Sequence, residues 1–422
     1  MTPSPAHIDI RKALAWLACL AFCLLFWGGV VRLACGQYLL ALANDPQYPS
    51  RYDDWIAEAV LTADFHGDQW VDGTDYAEDG NAAFFYGQYE PWYGFRKLAE
   101  HLGGDAELEA QAVAAGDAWR DLYSVANGGG IPGSYNYTQG LALDWTLNGD
   151  TTSRDAVTTQ AVTASYALTA TPIQFTEYET YSRETAYAAM GYIMAEVKCG
   201  ASYNDRLEAL RDLMLGDVDD EVIHNTVTVN LEVGGHIEQW LGSYITDSNG
   251  DYVSGSHNFA DGTLVDTYEE GYAPFMGAIT AWTLIHDYDE SANINGGVTP
   301  DTRTIAKLVR LADATWNEYW ISGDQSMKYR WAFGDTGLPR TAGDVALNNI
   351  MFPWYSWLYL RTGDSRHRER AAALFNGTVD YESLTTRTGT PPAGNTVKEF
   401  NQLIRWTFDG LAWYSAGVTE HE

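Results

Sequence analysis

Residues 354–371 read WYSWLYLRTGDSRHRERA. An apolar and aromatic segment ends at Gly363, Asp364 follows at once, and a second segment with a charged face begins. Glycine readily takes the left-handed conformation that ends a helix, and an aspartate after it accepts hydrogen bonds from the free amides of the next helix. The pattern therefore predicts two helices joined by a tight turn, which is a helical hairpin.

The same Gly-Asp step recurs at Gly104-Asp105 and Gly149-Asp150, with looser versions at 200–202 and 297–301. Apolar helices packed on both sides are predicted at residues 83–102, 135–148, 182–199, 270–287, 345–362 and 396–416. Amphipathic outer helices are predicted between them, at residues 105–123, 151–168, 203–216, 301–320 and 366–376. A sixth outer helix over 51–63 would pack beside the last inner helix and close a ring by joining its two ends.

The first 43 residues differ from the rest of the chain. Arg11 and Lys12 precede the uncharged segment 13–31, and the small-residue sequence at 41–43 is typical of a cleavage site. We expect an export signal that is either removed or kept as a membrane anchor through residues 13–31. Residues 44–422 would then form an exported domain, periplasmic or extracellular.

One segment of that domain does not follow the hairpin spacing. Residues 217–265 are predicted to be an insertion, with a small β-hairpin around Asn249-Gly250. A seventh helical hairpin built on 236–244 is the alternative.

Charge and cysteine content restrict the function. The formal net charge of -32 excludes nucleic acid as a partner, because a phosphate backbone needs a basic surface. After residue 43 the sequence contains one cysteine, Cys199, so we expect no disulfide within the domain and no cysteine metal cluster. No cofactor motif is present, and none is expected.

The order of the helices identifies a resemblance. The segments at 134–156 (SYNYTQGLALDWTLNGDTTSRDA), 181–196 (YSRETAYAAMGYIMAE) and 354–371 resemble the (α/α)6 toroid superfamily of glycoside hydrolases and polysaccharide lyases. The resemblance covers residues 50–416 and implies an all-α toroid of six helical hairpins that acts on a poly- or oligosaccharide. It identifies an architecture rather than one family, so it transfers no catalytic residue.

In such a ring, the N-terminal ends of the inner helices converge on one face and form a funnel. Polar residues in their first turns are therefore the candidates for catalysis, namely Glu177, Arg183, Glu184, Asp266, Glu269 and Glu270. Glycoside hydrolysis needs two carboxylates on opposite sides of the cleaved bond. The alternative for each acid is helix capping, since carboxylates also complement the helix dipole.

Aromatic residues are the candidates for substrate binding, because flat apolar rings suit the faces of sugar rings. The candidates are Trp92, Tyr93, Tyr135, Tyr137 and Trp331, together with Arg330 as a cation for an acidic sugar. Packing in a helical core is the alternative for the aromatic members.

One acidic segment contains candidate metal ligands. His66 could act as a general base or, with Asp64, Asp68 and Asp72, as a metal ligand. The spacing lacks the closing glutamate of a calcium loop. We interpret the segment as an acidic surface loop and expect no metal.

The sequence thus favours an exported glycan-cleaving enzyme, a glycoside hydrolase that uses a carboxylate pair. One alternative is a polysaccharide lyase, in which an arginine binds a uronate and Tyr137, His257 or Tyr187 is the base. The other alternative is a non-catalytic surface protein that binds glycan or protein.

Overall fold

The computed structural model describes most of the chain after residue 46. The described residues are 47–73, 76–164, 182–215, 243–246, 269–272, 274–294, 297–328, 331–332, 343–385 and 395–422. The predicted export segment, residues 1–43, lies outside them. Within the described part of the chain, no helix is long and apolar enough to cross a bilayer.

The architecture is an all-α toroid of two concentric layers. The inner helices are α3 (Pro91–His101), α5 (Gln139–Asn148), α7 (Ser182–Val197), α9 (Pro274–Asp289), α11 (Asn348–Thr362) and α14 (Asn395–His421). The outer helices are α1 (Tyr52–Val71), α4 (Ala106–Ala118), α6 (Thr151–Thr163), α8 (Asn204–Leu215), α10 (Arg303–Tyr319) and α12 (Ser365–Gly377). Each inner helix contacts the next, and α14 returns to contact α3, so the inner ring is closed. The predicted fold is confirmed.

The Gly-Asp steps form the turns that the sequence predicts. Gly104, Gly149 and Gly363 have φ angles of 97°, 72° and 67°, in the left-handed region that favours glycine. The aspartates that follow them cap the next helices, and each accepts at least one backbone N–H from the first turn. Inner and outer helices are therefore joined by short connections at one face of the ring.

The two ends of the chain meet through α1. Trp55 on α1 is fully buried, with its ring centroid 5.4 Å from that of Phe375 on α12 and 6.0 Å from that of Phe408 on α14. Arg51 adds a two-pronged ion pair with Asp380 at the surface. The predicted packing beside the last inner helix is confirmed, although the helix continues to Val71 rather than ending at residue 63.

The helix predicted over 83–102 is in fact two helices. α2 (Gly80–Tyr86) ends before α3 begins, and Tyr89 and Glu90 between them have positive φ angles of 62° and 57°. Pro91 occupies the first position of α3, where its missing N–H costs no hydrogen bond. The chain therefore turns sharply just before it enters the ring.

A small sheet precedes α9, in place of the predicted helix start at residue 270. β1 (Ser243–Thr246) pairs antiparallel with β2 (Glu269–Tyr272), and β2 pairs antiparallel with β5 (Trp331–Ala332). The strand predicted around residue 244 is confirmed, and its partner among the described residues is β2. The rest of the predicted β-hairpin and the alternative hairpin at 236–242 lie outside those residues.

The remaining described elements are short. β3 (Trp320–Ile321) pairs with β4 (Ser326–Met327), and α13 (Glu382–Thr385) is a one-turn helix. A π-helical turn occupies Trp119–Ser124, and 3-10 turns occupy Val125–Asn127, Gly133–Tyr135 and Val345–Leu347. Cys199, directly after α7, is half-buried, and burial raises the pKa of its thiol to about 11.

Candidate active site

The connections that lead from an outer helix to the next inner helix contain more residues than the Gly-Asp turns. Their described parts include residues 76–90, 119–138, 320–328, 343–347 and 378–385. These parts lie at the face on which the inner helices begin, opposite the short Gly-Asp turns. Long connections on a rigid scaffold are where binding and catalytic residues concentrate, so the candidate site is placed at this face.

Glu184 lies in the first turn of α7 at this face, with 5% of its surface exposed. Its Oε1 accepts hydrogen bonds from Nη2 and Nε of Arg183, at 2.6 and 3.1 Å. Its Oε2 is also buried and has no hydrogen-bond partner among the described residues. Arg183 thus holds one carboxylate oxygen in place, and the other oxygen is available to a ligand.

Burial raises the pKa of Glu184, because a desolvated carboxylate favours its neutral form, and the positive charge of Arg183 offsets part of that effect. A carboxyl group with a raised pKa and an oxygen without a partner is suited to donate a proton. Sequence reasoning selected both Arg183 and Glu184, and the structure brings them together.

A buried arginine fills the ring beneath this site. Arg405 on α14 is fully enclosed, with its guanidinium carbon 4.6 Å from the ring centroid of Trp406 and 4.8 Å from that of Tyr137. Tyr187 and Trp282 lie on further sides, each with its ring centroid 5.4 Å away. Favourable contacts with the ring faces stabilise the cation, which is desolvated.

Glu90 provides the counter-charge. Its Oε2 accepts a hydrogen bond from Nη2 of Arg405 at 2.8 Å, and its Oε1 accepts the backbone N–H of Gly140. The same Nη2 donates to Gln139, and Nη1 donates to the Tyr187 hydroxyl at 3.2 Å. Burial raises the pKa of Glu90, and the charge of Arg405 opposes that rise. An ionic network that joins Glu90 to α5, α7 and α14 therefore stabilises the strained backbone of Glu90, although Nε of Arg405 and Nε2 of Gln139 have no hydrogen-bond partner among the described residues.

Three tyrosines lie between the pair of Arg183 and Glu184 and the buried Arg405. Tyr137 and Tyr187 make a perpendicular ring contact with centroids 5.7 Å apart, and Tyr135 contacts Tyr137 at 6.0 Å. Tyr187 follows Glu184 by one helical turn. Burial raises the pKa of all three hydroxyls, so each stays neutral at physiological pH. Tyr135 is half-buried, whereas Tyr137 is enclosed.

The other predicted substrate contacts divide into two groups. Trp92 and Tyr93 are buried, Trp92 against Trp119 with centroids 5.0 Å apart and Tyr93 through a 2.8 Å hydrogen bond to Asp409. Both side chains thus pack in the core next to the site, and their contact with sugar stays a prediction. Of the other two predicted substrate contacts, Arg330 lies outside the described residues and Trp331 lies on β5. Of the remaining predicted catalytic residues, Glu177 and Asp266 lie outside the described residues, and Glu269 and Glu270 lie on β2.

The small sheet places the backbone of the second acidic pair near the start of α9. β2 ends at Tyr272 and α9 begins at Pro274, so Glu269 and Glu270 precede an inner helix on the face that holds Glu184. Tyr272 is paired with Trp331 across the ladder. The ladder thus joins the strand that carries Glu269 and Glu270 to the strand that carries Trp331.

His66 has a structural environment rather than that of a ligand. It is buried in α1, its Nδ1 lies 3.0 Å from the Tyr76 hydroxyl, and its ring centroid lies 5.1 Å from that of Phe400. Asp64 and Asp68 instead approach Glu107, and Gln111 donates a hydrogen bond to Asp68 at 3.1 Å. The interpretation of this segment as a loop was wrong, because residues 52–71 form one helix.

Sequence reasoning missed Glu90 and Arg405, which organise the interior of the site. A signal was available for Arg405, since it interrupts the apolar segment 403–408 in a chain with few basic residues. A cation at such a position predicts a buried anion elsewhere. Nothing local identifies that anion as Glu90.

Comparisons with known proteins agree with this architecture. No family model matches the chain, and no curated protein matches it. Among solved structures, the fold is similar to the crystal structure of an unsaturated glucuronyl hydrolase specific for heparin, with a TM-score of 0.52 and 11% sequence identity. The similarity covers 87% of this chain and 98% of that chain. At this identity the similarity shows the fold alone, which is an α/α toroid.

Proposed function

We propose that this protein is an exported glycoside hydrolase that cleaves an oligo- or polysaccharide at the face where the inner helices begin. Glu184 is the proton donor. Its protonated Oε2 gives its proton to the glycosidic oxygen while the bond from that oxygen to the anomeric carbon breaks. A second carboxylate, Glu269 or Glu270, activates the attacking water or attacks the anomeric carbon itself.

The environment of Glu184 is the observation that carries this proposal. Its Oε2 is buried and lacks a partner among the described residues, its other oxygen is held by Arg183, and burial raises its pKa. A residue that only caps a helix would instead have an exposed carboxylate, whereas that of Glu184 is buried. The similarity to a glucuronyl hydrolase fold supports glycan as the substrate class.

The buried tyrosines favour hydrolysis over elimination as the reaction. A lyase needs a base that removes the proton next to a uronate carboxylate. Tyr137 and Tyr187 are candidates for that role, and the third candidate, His257, lies outside the described residues. Burial raises the pKa of both hydroxyls, which makes the deprotonated form of each harder to reach. Arg183 is also engaged by Glu184 and does not present a free cation to a uronate.

The test compares Glu184→Gln with a matched control, Glu196→Gln. Glu196 lies on the same helix with 4% exposure, but at the opposite face of the ring, where it accepts the Tyr203 N–H. Wild-type and variant proteins would be incubated with heparin-derived unsaturated oligosaccharides, polyuronates and neutral glucans. New reducing ends report hydrolysis, and ultraviolet absorbance of a new double bond reports elimination.

We expect Glu184→Gln to lower turnover by about 100-fold or more and Glu196→Gln to leave it within a few-fold of wild type. Because the acid must be protonated, wild-type activity should fall as pH rises through the raised pKa of Glu184. Equal losses in the two variants would contradict the assignment, as would a double-bond product. Binding of glycan without cleavage of any substrate would favour the non-catalytic alternative.

A further inference from the structure

Three aromatic rings from separate parts of the chain meet beside the candidate site. Phe84 on α2 has its ring centroid 4.6 Å from that of Tyr123 and 4.7 Å from that of Tyr135. All three are half-buried, and all belong to the connections on the face where the inner helices begin. We call Phe84, Tyr123 and Tyr135 the aromatic ledge.

The ledge is continuous with the candidate site. The short 3-10 turn Gly133–Tyr135 packs against α7, whose first turn holds Glu184. Tyr135 also contacts the buried Tyr137. One end of the ledge therefore lies beside the proposed proton donor, and Phe84 and Tyr123 extend it away from that point.

The segment that carries Tyr123 is an unusual helix held by buried charges. Residues Trp119–Ser124 form a π-helical turn at the end of α4. This conformation is rare in proteins, and where it occurs it is often at a functional site. Arg120 in this turn is buried and binds Asp117, Asp121 and Asp150 at 2.6 to 2.7 Å. The ionic cluster fixes the turn, so the position of Tyr123 is set before any ligand binds.

Apolar residues next to the ledge along the chain are open to solvent. Leu122, which precedes Tyr123, is 39% exposed, and Val125 is 50% exposed. Packing of the core does not require this exposure. A surface that binds an apolar face of a ligand accounts for it.

We propose that the aromatic ledge is a subsite for a sugar ring that lies outside the cleaved bond, so that the protein prefers longer oligosaccharides. The C–H face of a pyranose packs on the rings, and the hydroxyls of Tyr123 and Tyr135 hydrogen-bond at the edge of that sugar. This proposal rests on the proposed function for the location of the cleaved bond, whereas binding at the ledge is measured separately.

The experiment uses Phe84→Leu and Tyr123→Leu, which keep apolar volume but remove the flat ring. Phe85→Leu is the matched control, since Phe85 is on the same helix but contacts Tyr86 rather than the ledge. Phe84→Tyr is the conservative variant, because it keeps the flat ring at this position. The probes are hexasaccharides and disaccharides of heparin, hyaluronan and cellulose. Binding is measured by calorimetry on Glu184→Gln backgrounds, and cleavage is measured on otherwise wild-type protein.

We expect Phe84→Leu and Tyr123→Leu to weaken binding of the preferred hexasaccharide by about tenfold and to leave the disaccharide unchanged. Phe85→Leu and Phe84→Tyr should bind like wild type. Equal hexasaccharide binding by Phe84→Leu and wild type would overturn the ledge as a subsite, as would equal losses for both chain lengths. If hexasaccharides bind through the ledge but none is cleaved, the proposed function fails and the subsite stands.

Discussion

At the scale of single residues, burial decides what each titratable side chain can do. Glu184 and His66 are both enclosed, and each has one buried atom without a hydrogen-bond partner in the described structure, Oε2 of Glu184 and Nε2 of His66. Glu184 lies beside the charge of Arg183, whereas His66 lies among aromatic rings. Desolvation disfavours the charged form of each, so it raises the pKa of the acid and lowers that of the base. The same physical cause suits one residue to proton donation and keeps the other a neutral part of the core.

His66 gives a test of this reasoning through stability. Burial lowers its pKa from 6.5 to about 4, so between these values the unfolded chain binds more protons than the folded one. Its contribution is fully present above pH 6.5 and is lost as pH falls toward 4, by about 3 kcal/mol in total. Urea unfolding of wild type and His66→Gln across this range should show a shallower acid loss for the variant. His421→Gln, at the exposed chain end, is the control, and parallel curves for His66→Gln would contradict the assignment.

At the scale of elements, close approach between inner helices depends on glycine. A Cβ atom at Gly410 on α14 would lie 2.5 Å from the Phe352 side chain on α11, and one at Gly417 would lie 2.6 Å from Tyr359. These contacts lie along the interface between α11 and α14, where bulky aromatic residues on one helix face small residues on the other. Interiors packed at this density have no space for an added methyl group.

We therefore expect Gly410→Ala to destabilise the protein by about 1 to 3 kcal/mol, despite the better helix propensity of alanine. Gly116→Ala is the matched control. Gly116 is also within a helix, α4, but its added Cβ would meet Trp92 at an ordinary 3.4 Å. That variant should be neutral or more stable by up to about 1 kcal/mol. Chemical denaturation of both variants decides the matter, and similar changes in both would mean that packing at α11 and α14 is not limiting.

At the scale of the whole molecule, a closed ring requires contacts between its first helix, α1, and its last helices, α12 and α14. Those contacts are of two kinds, the burial of Trp55 between Phe375 and Phe408 and the surface ion pair of Arg51 with Asp380. Apolar burial is far stronger than an exposed ion pair, which water and salt screen. Closure should therefore depend on the tryptophan.

Trp55→Ala is expected to destabilise the protein by about 3 to 5 kcal/mol, because it leaves a cavity among α1, α12 and α14. Asp380→Ala should leave the unfolding midpoint unchanged within error, since Asp380 is exposed. Thermal and urea unfolding of both variants would check this. A larger effect of Asp380→Ala than of Trp55→Ala would show that ionic contacts close the ring.

Local patterns in the sequence were sufficient to predict the hairpins, the toroid and the position of Glu184. The Gly-Asp turns and helix caps are formed by residues a few positions apart, so the chain signals them directly. The break at Tyr89 and Glu90 was not predicted, because its strained backbone is stabilised by Arg405, 315 residues from Glu90 along the chain. The pairing of β2 with β5 and the meeting of Phe84, Tyr123 and Tyr135 likewise join distant segments. Such contacts become favourable only once the ring has closed and excluded water, and for that reason the tertiary structure alone determined them.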